Sequence, residues 1–113
     1  DHPIYSSLSL NHQVKQTVES VGYIREKFSL NYGAFAFPYT DHGITAAFFA
    51  ELNKSGIVDV SFGNGGLVKD CVENNLQRIS LENPLMPAEE IIALECTRKL
   101  YRMIKRSNTR ERF

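Results

Sequence analysis

The residues of this chain best equipped for chemistry lie in one run, Pro38-Tyr39-Thr40-Asp41-His42-Gly43, directly after the apolar segment Ala34-Phe35-Ala36-Phe37. A phenol, a hydroxyl, a carboxylate and an imidazole in succession can bond a polar substrate or hold a cation. The apolar segment, bounded by Gly33 and Pro38, reads as a strand buried on both faces, because alternation disappears when a sheet is covered from both sides. Pro38 has no N–H to donate and so ends the ladder. In parallel α/β sheets, substrates bind just beyond the carboxyl ends of the strands, where Tyr39, Asp41 and His42 would then stand. Two readings of Asp41 and His42 remain open: contact with a substrate, or a solvated strand-to-helix loop.

The remaining reactive groups are sparse. His12 falls at a helix start and reads as a surface residue. Cys71 and Cys96 are too few and too far apart for a disulfide framework or a zinc cluster, and with no base pattern nearby they read as small buried apolar groups. Gly63-Asn64-Gly65-Gly66 could cradle a phosphate, but it lacks the Lys-Ser/Thr ending of such loops and no helix clearly starts there, so it reads as a mobile turn.

Periodicity supplies the elements that must position these groups. Val14, Val18, Val21, Ile24 and Phe28 recur at three- and four-residue steps and predict a helix over about residues 10–28, capped by Ser9 or Asn11, with Gly22 allowing close packing on a strand. A second helix is predicted over 45–55, with Thr45 as N-cap and Gly56 just past its end. The β-branched run 57–62 predicts a strand, and the alternation of 76–81 predicts another. Pro87, followed by Glu89 and Glu90, opens a final helix whose inward stripe would be Ile92, Cys96, Leu100, Met103 and Ile104. Helix and strand alternate, which implies a parallel sheet with covering helices. The opening helix has no strand before it to complete a crossover, so the fold looks cut and its sheet edges open.

The 113 residues, 42% of them hydrophobic, suffice for one soluble domain or part of one. Thirteen basic and thirteen acidic residues cancel, so no whole-chain field favours nucleic acid. Seven of the thirteen basic residues nevertheless fall between Arg98 and Arg112, at the end of the final helix, where cations complement the helix dipole. That basic end admits a nucleic-acid or anionic-membrane reading, weaker than the solvated one. No apolar run approaches the ~18 residues that span a bilayer, and the N-terminus lacks a signal-peptide pattern. Asp1 in place of Met suggests a natural start elsewhere. Cysteine usage is compatible with a reducing, cytoplasmic compartment and does not establish one.

Asp1-His2-Pro3, Leu8-Ser9, then Gln13, Gln16 and Glu19-Ser20, then Phe35-Ala36-Phe37-Pro38-Tyr39 together resemble the middle of the polysaccharide deacetylase family, over roughly residues 1–82. The resemblance implies a partial, distorted (β/α) barrel of mostly parallel strands with covering helices, and a single incomplete domain over 1–113 whose N-terminal strands and motifs are missing. It also implies hydrolysis of the amide of N-acetylated carbohydrate by zinc or another divalent metal held by one Asp and two His. His2 matches the second metal-ligating histidine. Pro38 and Tyr39 match the strand end lining the sugar groove, with Asp41 and His42 as further substrate contacts. The partner histidine would stand four residues before His2, upstream of Asp1, and the family's aspartate pair is absent too. Ala36 stands where the family often has Arg, and Leu81-Glu82-Asn83 has Asn where a late acid histidine is expected. No catalytic residue is therefore expected in the chain as given, and no activity. The alternative is a non-catalytic binding or assembly module that completes its sheet by oligomerisation.

Overall fold

Local capping rules decide where the first two helices begin. The computed structural model describes residues 3–113. Helix α1 (Leu10–Lys27) starts where the Ser9 side chain accepts the His12 N–H. Helix α2 (Ala46–Ser55) starts where Thr45 accepts from Phe48 N–H, and it ends at Gly56, whose φ of +64° is the left-handed conformation glycine adopts without strain. Between them lies strand β1 (Ala34–Ala36), and after them come β2 (Val60–Gly63), β3 (Lys69–Asp70), β4 (Asn75–Gln77), helix α3 (Ala88–Ile104) and β5 (Thr109–Arg110).

The strands form two small sheets, ordered β1-β2-β4 and β3-β5, and every pairing is parallel. β1, α2 and β2 make a βαβ unit with Ala34 opposite Val60 and Ala36 opposite Phe62. The chain is thus mixed α/β with parallel strands, as expected, and among the described residues the strands close no barrel.

The core lies under α1 and α2, where Tyr5, Phe37, Ile44, Phe48, Phe49 and Leu52 form one buried cluster. Its aromatic rings meet edge to face, Tyr5 with Phe37 at 5.7 Å and Phe48 with Phe49 at 5.2 Å between centroids, the arrangement their quadrupoles favour. Tyr5, in a 3-10 turn (Tyr5–Ser7), is anchored by Thr17 Oγ1 at 3.2 Å, and Gln13 Nε2 donates to the Tyr5 carbonyl at 2.7 Å. The buried stripe of α1 is therefore Gln13, Thr17 and Val21, and Ile24 and Phe28 turn out to solvent.

Several expectations are corrected. β1 is not buried on both faces: it is an edge strand with Ala34 and Ala36 exposed, and the fully buried ring is Phe37, one residue later. A Cβ at Gly22 would meet nothing within 4 Å, so it provides no close packing. β4 begins at Asn75, which turns Asn75 and Gln77 inward and leaves Leu76 exposed. α3 presents Ile91 and Glu95 to the body, rotated by one residue from the expected stripe, and Ile92, Leu100, Met103 and Ile104 are exposed, as are Cys71 and Cys96. Arg110 and Arg112 lie beyond α3, on and just after β5.

Candidate functional site

Beyond the carboxyl ends of β1, β2 and β4 the chain gathers polar side chains around two carboxylates. Asp41, in the β1–α2 loop, has no exposed surface. Its Oδ1 accepts from Arg110 Nη1 at 2.8 Å and from the Asn64 N–H at 3.1 Å. Its Oδ2 accepts from Gln77 Nε2 at 2.9 Å, from Asn75 Nδ2 at 3.2 Å and from Arg112 Nη2. Asp70 draws on the same groups, with Asn75 Nδ2 at 3.0 Å, Gln77 Nε2 at 2.9 Å and Arg112 Nη2 at 2.5 Å.

Arg112 is the hinge of this cluster. Its side chain is 2% exposed, its Nη1 donates to the carbonyls of Asp41 and Ile44, and its guanidinium lies 4.6 Å from the centre of the Phe49 ring. Charges out of water are tolerated only when paired and hydrogen-bonded, and here both carboxylates and the guanidinium meet that condition. Burial pushes the Asp41 carboxyl up, but hydrogen bonds from Gln77, Asn64 and Arg112 and the charge of Arg110 outweigh it and hold the group well below the usual carboxylate range. Asp70 is lowered in the same way, burial being outweighed chiefly by Arg112. The same pairs raise Arg112 against its own burial. The cluster is an ionised, saturated brace with no lone pair free for a substrate.

The glycine loop belongs to this brace. A side chain at Gly63 would overlap Asp41 and Gln77, and one at Gly65 would overlap Gln77 and Arg110. Its successive N–H groups are committed: Asn64 to Asp41, Gly65 to Gln77 Oε1 at 2.6 Å, Gly66 to the Arg78 carbonyl at 3.0 Å and Leu67 to Glu95 at 3.3 Å. None is left for a phosphate, and the turn expected to be mobile is tied down.

The accessible surface surrounds this brace. Tyr39 is 68% exposed with φ of +60°, a conformation a bulky residue adopts only when its surroundings impose it. Here Asn64 Nδ2 holds the Tyr39 carbonyl at 3.1 Å and the Thr40 N–H bonds the Pro38 carbonyl at 2.7 Å. Tyr39 lines a cleft of about 640 Å³ with Phe37, Asn64, Arg78 and Glu82, and Arg78 is fixed by the Gly63 carbonyl at 3.0 Å. Pro38 lines a second cleft, of about 390 Å³, with Pro3, Gln16, Glu19, Ser20 and Ala36. His42 is exposed and lines a third, of about 410 Å³, with Arg102 and Arg110.

Of the residues singled out from sequence, Tyr39 and His42 thus face clefts at the strand ends, Pro38 faces one between α1 and β1, and Asp41 lies buried behind them as a positioning residue. His2 lies outside the described residues. Among those described, no group of three His, Cys, Asp or Glu could hold a metal ion, and the nearest carboxylates, Asp41 and Asp70, are saturated by cations and amides. The described residues therefore do not fit a metal centre by themselves. Sequence reasoning missed Asn64, Asp70, Asn75, Gln77, Arg78, Arg110 and Arg112. One usable signal was the polar pair Asn75 and Gln77, two apart on a strand. Comparisons with protein-family models, with curated proteins and with solved structures return no match.

Proposed function

We propose that this chain forms the sugar-contacting wall of a polysaccharide deacetylase-like domain, a partial (β/α) barrel in which N-acetylated carbohydrate lies across the carboxyl ends of β1, β2 and β4. One observation carries the reading. Pro3, Gln16, Glu19, Ser20, Phe35, Ala36 and Pro38, all within the segments that resemble that family, line one cleft between α1 and β1 together with Tyr5.

The chemistry assigned to these residues is recognition. The Tyr39 ring offers an apolar face on which a pyranose can stack, and its strained backbone fixes where that face points. The Asp41–Arg112 brace keeps the loop from relaxing. Zinc or another divalent ion, when bound in such a domain, polarises the acetamide carbonyl and supplies hydroxide at neutral pH. Within this chain only His2 matches a ligand for it, and three protein ligands are needed, so turnover is not assigned to the chain as given.

The test is titration of the chain with N-acetylglucosamine oligomers, followed by NMR, with acetate release measured in parallel. Shifts at Gln16, Ser20 and Ala36 and at the neighbouring Tyr39, an affinity reduced about tenfold in Tyr39→Ala, and no acetate are expected. An affinity untouched by Tyr39→Ala would overturn the assignment. A second reading, an assembly module, is favoured by the outer edges of β1 and β4, unpaired among the described residues, and by the exposed Leu100, Tyr101, Met103 and Ile104. A stable oligomer in sedimentation, without sugar-induced shifts, would select it.

A further inference from the structure

We infer that the cleft between the Gly63–Gly66 turn and the end of α3 is an anion site, taking a carboxylate or sulfate group through Arg102 and Arg110. Thr40, His42, Asn64, Ser107 and Thr109 add polar groups to its wall beside Gly65 and Val68, and no carboxylate residue lines it. Hydroxyl, imidazole and guanidinium groups all supply donors, so the wall is matched to oxygen acceptors.

The charge pairing points the same way. Asp41 and Asp70 are balanced by Arg110 and Arg112, and Glu95 is balanced by Arg98 at 2.7 Å. Arg102 lies within no ion-pair distance of a carboxylate among the described residues, although its charge joins that of Arg98 in holding the Glu95 carboxyl below its usual range, and its Nη1 is buried from solvent without a hydrogen-bond acceptor. A charged donor withdrawn from water with nothing to bond is unfavourable, and a side-chain rotation that brought this nitrogen to the cleft would let an oxyanion there supply the missing acceptor. The dipole of α3 accounts for a cation in its last turn, but not for a guanidinium nitrogen left unpartnered. Asn64 lines both this cleft and the Tyr39 cleft, so an acidic sugar reaching from one into the other would join the two. The sugar part of the inference rests on the function proposed above, and the anion part rests on this cleft alone.

The experiment is NMR titration of the chain at fixed ionic strength with inorganic sulfate, with glucuronate and with glucose as neutral control. Sulfate and glucuronate are expected to shift Ser107, Thr109 and the Arg102 Nε–H, glucose to leave them unmoved, and Arg102→Gln to weaken both anions about tenfold. Lys105→Gln removes a nearby charge that does not line the cleft, and is expected to change affinity little. Equal losses in the two variants would reveal a diffuse surface field and overturn the site, as would no shift with either anion. Glucuronate binding more tightly than sulfate supports the acidic sugar. The reverse order overturns the sugar source and supports the anion cleft. Because Arg102 and Tyr39 line different clefts, shifts at Arg102 on adding sulfate, with none at Tyr39 on adding N-acetylglucosamine oligomers, would mean that the carbohydrate reading fails while the anion cleft stands.

Discussion

Arg112 holds two aspartates at once, with a planar fork that a lysine ammonium does not offer. Its planar fork donates from Nε and Nη2 to Asp70, from Nη2 to Asp41 and from Nη1 to two carbonyls. Arg112→Met removes the cation and leaves two buried carboxylates side by side, a change that costs about 3–5 kcal/mol when one member of a buried pair is lost. Urea unfolding would read this as a large drop in midpoint with little change in slope. Arg112→Lys is expected to recover only part of it, since an ammonium keeps the charge and loses the fork. Neither Asp41 nor Arg112 announced this role in the sequence. They belong to segments with no shared pattern, and only the folded chain brings them together.

At the scale of elements, legibility followed locality. Ser9, Thr45 and Gly56 act through bonds to residues three positions away or fewer, and α1 and α2 start and stop where those residues predict. β3 and β5 are two-residue strands whose existence depends on each other, so no local pattern marks them. The face of α3 was misjudged for a related reason. Apolar spacing pointed to Ile92 and Cys96, but Glu95 receives the Leu67 N–H and pairs with Arg98, and this fixes a charged residue inward. Burying only Ile91 and Glu95, α3 is held to the body more weakly than α1 or α2, which share the aromatic core. Native-state hydrogen exchange is therefore expected to show α3 amides opening with less protection than those of α2. Equal protection would mean that α3 opens only with the whole fold.

The whole molecule is neutral by composition but polarised by arrangement, with its ionised brace at one end of the sheet and its aromatic core beneath α1 and α2. Both aspartates have lowered folded pKa values, so their contribution to stability is fully present above the unfolded value of about 3.9 and is lost as pH falls through the folded values. The urea midpoint is expected to be nearly flat from about pH 5 to 8 and to fall below about pH 4, with a shallower acid limb in Asp41→Asn. An unchanged acid limb in that variant would remove Asp41 from the account.

The bond from Arg112 to Asp41 spans 71 positions of chain. Asp41 and Asp70 both precede their shared counter-charge in the chain, so a segment lacking Arg112 would hold two repelling carboxylates where the folded protein has a clasp. The β1–α2–β2 unit can collapse around aromatic rings close in sequence, whereas the mouth of the sheet closes only when Arg112 folds back on it, so the loop presenting Tyr39 is expected to become ordered after the core.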